Sequence, residues 1–438
     1  MHSNRKVALW VLGAFVAGAV AARGVPEARG NAGTDGDAMY RELSRFSKVL
    51  AHIENSHVAA PEPARLVDGA IQGMVATLDP HSAFLTADEV RELRAREAVA
   101  DLATPGIELT LIPHELFGVR FRQLTVVAPL DDSPAARAGI EPGDQIVHID
   151  GRSTMRLDPL LAEALLSGPE GSKVVLGVMR EGFKTARDIT LLRARPRSLV
   201  VDASIIGQAG LGAFGYLRVK RFESGVSKAI AAALRDLRGQ AGNQLGGLIL
   251  DLRNNPGGRI DEATRVADLF LPGGRTIFTL QGRGGDVLDA PQSHAHGTEP
   301  GYPIAVLINE GTASSAELIA GALRDEKRAV LIGGRSFGKG SVQMAFELMD
   351  GSALKLTVAH YRTPSGQRIH GNGIDPDIAI APSTASAAGL DFRSSVGDRA
   401  PPSAPAPSEA RAPERGEDPA IAAALAHFQG GPPSSPLP

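Results

Sequence analysis

The chain has 438 residues, 43% of them hydrophobic, enough for two or three domains with buried cores. Its net charge of −3 gives no reason to expect nucleic acid as a partner, and the absence of cysteine excludes disulfides, thiolate nucleophiles and cysteine-ligated metal sites. Aromatic residues are only 4%, while 50 Gly and 30 Pro forecast many turns and at least one stretch without a packed core.

At the N-terminus a short basic stretch, MHSNRK, precedes the uncharged run VALWVLGAFVAGAVAA (7–22). That run is short for a membrane helix, which needs about 20 residues, and fits the apolar core of an export signal. Ala19-Val20-Ala21 supplies a small-x-small cleavage site; if uncleaved, residues 7–22 would anchor the chain in the inner membrane. Residues 1–24 are thus expected to be a signal peptide or membrane anchor, and the remainder to be exported, with the periplasm as its compartment. Residues 36–98 are expected to form a helical segment. MYRELSRFSKVLAHI has apolar residues at 39, 43, 46, 50 and 53, and PARLVDGAIQGMVATL repeats that period before the turn DPHS. TADEVRELRAREA then opens with Thr86 and Glu89 at capping-box spacing.

Residues 103–195 alternate short extended runs (LTVVAPL, QIVHIDG, KVVLGVMR) with small helical pieces (SPAARAGI, LDPLLAEALLSG), the pattern of a compact, mainly β module. From 196 to 382 the order becomes strand, turn, helix. GGLILDL is followed by RNNPGG and IDEATRVADLFL, and PIAVLIN by EGTASS and AELIAGALRDE, with AVLIGG as the next strand. Apolar strands alternating with helices imply parallel βαβ units. Residues 383–438 are Ala/Pro/Ser-rich and expected to be disordered, apart from a short helix near 417–428.

Two glycine-rich stretches invite a nucleotide reading. GGRSFGKGSVQ (333–343) resembles a phosphate loop through Gly333 and Gly338-Lys339, but Gly340 stands where magnesium binding requires Ser or Thr. The segment after it alternates like a strand, whereas a phosphate loop opens a helix. GLGAFG (210–215) matches the dinucleotide spacing, yet YLRVKRF after it also reads as a strand. SHAHG (293–297) holds two histidines in a polar loop without a third ligand, so neither a metal nor any cofactor is expected.

Ser314 lies where a buried strand gives way to a helix, a position where backbone N–H groups favour an anion. Ser314 and Glu317 also have capping-box spacing, so a purely structural role is open. Lys339 follows the next strand of the same βαβ unit, which brings both residues to the strand C-termini, where sites form in open parallel sheets. A serine hydroxyl needs an adjacent base, and a lysine serves only where burial disfavours its charge. The flexible NNPGG (254–258) is suited to donating N–H groups to an oxyanion.

At this point the motifs LDPHSAFLTADEV, SPAARAGIEPGDQIVHIDG, LILDLRNNPGG, VLINEGTASSAELIAGALRDEKRAVLIGGRSFGKGSVQ and LKLTVAHYRTPSGQRIHGNGIDPDI come together. With them the chain, over 37–382, resembles the C-terminal processing peptidases (tail-specific proteases), Ser-Lys endopeptidases with a PDZ domain. The resemblance implies a multi-domain α/β protein: an N-terminal helical segment, a PDZ domain at 103–195 and a crotonase-like α/β core with added β elements at 196–382. It assigns Ser314 as nucleophile, Lys339 as general base and Gln343 as the residue orienting the lysine. Backbone amides of Ser315, Gly257 and Gly258 become oxyanion donors, and Gly106-Ile107-Glu108-Leu109 the loop holding a substrate's terminal carboxylate. Protein or peptide substrates bound by their C-termini are the expected partners, an activating adaptor protein is a further candidate, and nucleotides and nucleic acid are not expected. The sequence departs from the family run at Ser315 and Ala316, where Ala and Ser are usual, and at Glu108, where a small residue is common. The first departure leaves a non-catalytic PDZ scaffold as the alternative. Gln343 lies about 13 Å from Lys339 along a straight strand, so a contact between them requires a bend.

Overall fold

The computed structural model describes residues 35–97, 99, 102–116, 119–155, 157–195, 200–208, 212–295, 298–299, 301–380 and 418–430. The apolar run 7–22 and the Ala/Pro/Ser-rich stretch up to 417 lie outside the described residues. Among the described residues no helix is long and apolar enough to cross a membrane.

The chain begins with α1 (Asp35–Ser56), α2 (Pro63–Ala76), β1 (Ala83–Leu85) and α3 (Ala87–Glu97). The Thr86 capping box forms, with Thr86 N donating to Glu89 Oε2 at 2.8 Å and Glu89 N to Thr86 Oγ1 at 3.3 Å. Among the described residues little covers the apolar stripe of α1: Met39, Leu43 and Phe46 are exposed. The run SAFL, read with the helical segment, contains a strand instead. β1 pairs antiparallel with a core strand, Ala83 opposite Lys355.

The second unit contains β2 (Ile107–Leu116), β3 (Val119–Pro129), α4 (Pro134–Arg137), β4 (Gln145–Ile149), β5 (Arg152–Ser153), α5 (Pro159–Leu166), β6 (Lys173–Met179) and β7 (Arg187–Leu192). The sheet order is β2-β3-β4-β6-β7, so β2 is an edge strand with α5 packed beside it. Its own core includes Leu109, Leu124, Val126, Ile146, Leu161 and Val174.

The third unit holds β8 (Val201–Gln208), β9 (Gly212–Val219), α6 (Val226–Gln240), β10 (Leu245–Asp251), α7 (Ile260–Asp268), β11 (Thr279–Gln281), β12 (Val287–Asp289), β13 (Ile304–Ile308), α8 (Ser315–Asp325), β14 (Val330–Gly333), β15 (Ser341–Glu347), β16 (Ala353–Arg362), β17 (Ile378–Ala379) and α9 (Pro419–Gly430). β17-β14-β13-β10-β9-β8 form one sheet, in which β9, β10, β13, β14 and β17 run parallel and β8 pairs antiparallel at its edge. Gly212 therefore enters a strand and not a helix, which removes the dinucleotide reading.

The strands of this sheet are apolar on both faces because both faces are covered. Leu248, Leu250, Val306 and Ile308 join α6, α7 and α8 on one side. Ile249, Ala305, Leu307, Phe214 and Tyr216 meet Ala420, Ile421, Ala424 and Leu425 of α9 on the other. Phe428 stacks on Phe214 with ring centroids 5.6 Å apart. Truncating Leu425→Ala should lower the unfolding free energy by about 2–3 kcal/mol, measured by urea denaturation followed by circular dichroism. An unchanged midpoint would show that α9 lies outside the cooperative core.

Candidate active site

The loop after β10 and the turn after β13 are stitched into one surface. Asn309 Oδ1 accepts from Asn254 N at 2.8 Å, Asn309 Nδ2 donates to Asn254 Oδ1 at 2.8 Å, and Thr312 Oγ1 donates to Leu252 O at 2.8 Å. Ala313 N donates to Asn255 O at 2.9 Å. Held this way, Ser314 takes φ 56° and ψ −124°, a strained conformation for a residue with a Cβ, at the N-cap of α8. Ser314 is 9% exposed. Ser315 begins the helix with its Oγ buried and without a hydrogen-bond partner.

Glu317 joins this turn to the lysine loop. Its Oε2 accepts from Ser314 N and Lys339 N, both at 2.8 Å, and its Oε1 from Ser336 Oγ at 2.5 Å and Gly338 N at 2.8 Å. Burial pushes this carboxyl up to about 7 against the pull of those donors. Gly338 and Gly340 let the segment Ile369–Gly373 close over the lysine. A Cβ at Gly338 would meet Gly373 N at 2.8 Å, and one at Gly340 would meet His370 N at 2.6 Å.

The oxyanion expectation is corrected at one position. Gly257 N donates to Asn255 Oδ1 at 2.8 Å, so that amide is committed. Gly258 N and Ser315 N have no hydrogen-bond partner among the described residues. Gly257 must still be glycine: its φ is +99°, and a Cβ would lie 2.8 Å from Ser314 Cβ.

Lys339 differs most from expectation. Its Nζ donates to Glu108 Oε1 at 3.0 Å and makes no hydrogen bond to Ser314. Burial alone pulls the ammonium down, but the charge and hydrogen bond of Glu108 outweigh it, and the net direction is upward. Gln343 does not reach Lys339 either. The strand does bulge between Val342 and Gln343, but the amide donates to Ser341 Oγ at 2.9 Å and Thr357 Oγ1 at 3.3 Å.

Ser314, Lys339, Gln343, Glu108 and Leu109 nevertheless line one cavity of about 70 Å³. Gly106, the first residue of the expected carboxylate loop, faces a different cavity of about 490 Å³ beside Asp131 and Arg137. The first cavity also contains residues that sequence reasoning missed, Glu163 from α5 and His81 from the DPHS turn. His81 is pushed down to about 3 by burial and by the neighbouring His370, so it is neutral. Neither carried a local signal, since each is brought in by packing between units. Among the described residues no group of three His, Cys, Asp or Glu could hold a metal.

A buried charge layer braces the β10 end. Asp251 accepts from Tyr216 OH at 2.8 Å and pairs with Arg218 and Arg253. Arg218 continues to Asp131 of the second unit at 2.6 Å, and Arg253 to Asp418 ahead of α9 at 2.7 Å. Replacing Glu317 by Gln would set an amide NH₂ against N–H donors. Glu317→Gln should therefore destabilise the fold by about 2–3 kcal/mol in urea denaturation, while a loss under about 0.5 kcal/mol would show that the four bonds are not jointly satisfied.

Three family descriptions match the chain: "Peptidase family S41" over 213–380, "PDZ domain" over 125–180 and "Activating protease CtpB N-terminal domain" over 18–89. A carboxy-terminal-processing protease of Bartonella bacilliformis is 34% identical over 377 residues, 86% of this chain and 82% of that protein. A carboxyl-terminal-processing protease of Synechocystis is 37% identical over 71% of this chain and 70% of its own length. The solved structure of a photosystem II D1 C-terminal processing protease superposes with a TM-score of 0.65 at 29% identity, covering 78% of this chain and 88% of that one. With its PDZ domain and S41 core, the chain belongs to the carboxy-terminal processing protease family.

Proposed function

We propose that the protein is an exported Ser-Lys endopeptidase that captures protein C-termini through its PDZ domain and cleaves upstream of them. The observation that carries this reading is Glu317, whose one carboxylate holds the backbone N–H of both Ser314 and Lys339. Two unengaged amides, Gly258 N and Ser315 N, complete the set of parts an acyl transfer needs. The full burial of the Ser315 hydroxyl favours Ser314 as the nucleophile.

In this reading neutral Lys339 accepts the Ser314 proton as Oγ attacks the peptide carbonyl, and the two amides hold the resulting oxyanion. Lys339-H⁺ then protonates the departing amine. Water, deprotonated by Lys339, attacks the acyl-enzyme and frees Ser314. Export rests on the apolar segment 7–22 and its small-residue site. An activating adaptor protein is a further partner class, supported by the match of residues 18–89 to an activating protease's N-terminal domain.

The opposing reading, a PDZ scaffold without activity, draws on the Lys339–Glu108 contact, which leaves Ser314 without its base. Proteolysis of an unfolded protein with an apolar C-terminus separates the two. Ser314→Ala and Lys339→Ala should each lower the rate by at least about a thousandfold, with Ser315→Ala retaining cleavage. Binding without cleavage by the wild type would establish the scaffold, and cleavage by Ser314→Ala but not Ser315→Ala would move the nucleophile by one residue.

The pH profile follows from Lys339. A base held above its ordinary value is protonated at neutrality, so the rate should climb with pH, by up to about tenfold per unit from pH 7 to 9. A flat profile with chemistry rate-limiting would remove Lys339 as the base.

A further inference from the structure

Glu163 of α5 is a carboxyl that neither the packing nor the cleavage chemistry uses. It lines the same cavity as Glu108, Leu109 and Thr110 of β2 and Pro159 and Leu160 of its own helix. Among the described residues no hydrogen bond or ion pair reaches its oxygens, whereas the other acidic groups of that space are engaged. Glu108 pairs with Lys339 at 3.0 Å, and Asp158, at the N-cap of α5, pairs with Lys355. Burial, with the neighbouring Glu108 charge second, keeps the Glu163 proton on and pushes the group up to about 8. Lys339, Arg221 from the loop after β9 and Lys355 of β16 pull the other way, and none of the three pairs with it.

A carboxyl kept from water without a partner is unfavourable, because neither its charge nor its hydrogen-bonding capacity is met. An apolar residue would suit the walls that Leu109, Pro159 and Leu160 form. What satisfies Glu163 must therefore come from outside the chain, fit between a strand and a helix, and carry positive charge. β2 is the edge strand of its sheet, and an extended tail can add to such an edge by main-chain hydrogen bonds. Side chains of an added strand alternate in direction, so one tail residue in two is turned towards α5.

We propose that Glu163 is a specificity residue: the groove between β2 and α5 takes C-termini that carry a lysine or arginine close to the end, on the face of the bound tail turned to α5, and Glu163 is the anion that pairs with it. The inference rests on the tail-binding reading given above and not on which residue is the nucleophile. Leu109, Pro159 and Leu160 then contact the aliphatic stem of the basic side chain and the apolar residues beside it. Lys339 and Lys355 do not compete for Glu163, since Glu108 and Asp158 already neutralise them. The pair forms with the carboxylate, so a cation entering below about pH 8 displaces one proton from Glu163 to solvent. Preference for a basic tail therefore weakens by up to about tenfold per pH unit below that point and is constant above it.

The test compares full-length wild type, Glu163→Gln and Glu163→Asp, each checked for an intact fold by thermal unfolding. The probes are short fluorescent peptides with a free, apolar C-terminus, in which a single Lys or Met occupies each of the last four positions in turn. Binding is read by fluorescence anisotropy at pH 7 and 9, where lysine stays charged, beside cleavage of an unfolded protein ending in the same tails. Wild type should favour Lys over Met by about a hundredfold at pH 9 and about tenfold at pH 7, at alternate positions only. Glu163→Gln should bind both tails alike at either pH, and Glu163→Asp should retain a preference. A preference that survives in Glu163→Gln, equal binding of Lys and Met tails by wild type at pH 9, or a preference at every position would overturn the assignment. If Glu163→Gln does not fold, the wild-type scans over pH and position decide alone. Selective binding without cleavage of any substrate would overturn the Ser-Lys reading and uphold the tail selectivity, while failure to bind any tail would overturn both the tail-binding reading and the selectivity.

Discussion

A carboxylate with no solvent exposure survives in a protein only if its acceptors are filled, and Glu317 fills both oxygens from two directions. Ser314 N approaches from the turn before α8, while Ser336 Oγ, Gly338 N and Lys339 N approach from the loop after β14. Moving either loop would leave a buried charge facing an unsatisfied gap. The turn at Ser314 and the lysine loop are therefore one unit, and the strain at Ser314 persists because the Asn309, Thr312 and Ala313 bonds hold the turn from its other side. The close approach of Gly257 to Ser314 and of Ile369–Gly373 to the lysine loop follows from the same clamp.

Four ion pairs join the PDZ domain to the core. Arg218–Asp131, Lys220–Asp132, Lys355–Asp158 and Lys339–Glu108 all cross that boundary. The two hydrophobic cores on either side are separate clusters. Polar interfaces between domains of one chain resemble transient contacts, and relative motion is their ordinary behaviour. A buried ion pair also gives little net stability relative to apolar packing, because desolvation offsets most of the attraction. The apolar seal between α9 and the core sheet is of the opposite kind and belongs to the permanent fold.

What could be read in advance depended on how local its cause was. The strands GGLILDL and PIAVLIN were legible because fully apolar runs bounded by turns need cover on both faces, and α6–α8 with α9 provide it. The Thr86–Glu89 and Ser314–Glu317 boxes were legible because capping acts over three residues. The strand in SAFL was hidden because its partner is Ala353–Lys355, far along the chain. Gln343 carries the bend that its assignment needed, but Ser341 and Thr357 compete for its amide. Gly257 was expected to be an oxyanion donor, yet the side chain of Asn255, two residues away, takes its N–H.

By itself the sequence determined the order of helices and strands, the glycines that permit close approach, and the placing of Ser314 and Lys339 at one edge of a parallel sheet. Those follow from side-chain period, steric limits on φ and ψ, and the handedness of βαβ connections, all of which act over short stretches. The tertiary structure alone decided which amides remain unpaired and which charge Lys339 carries. Its neighbour Glu108 is 231 residues away in sequence, and a charge state is set by whatever atoms lie within a few ångströms, whichever part of the chain supplies them.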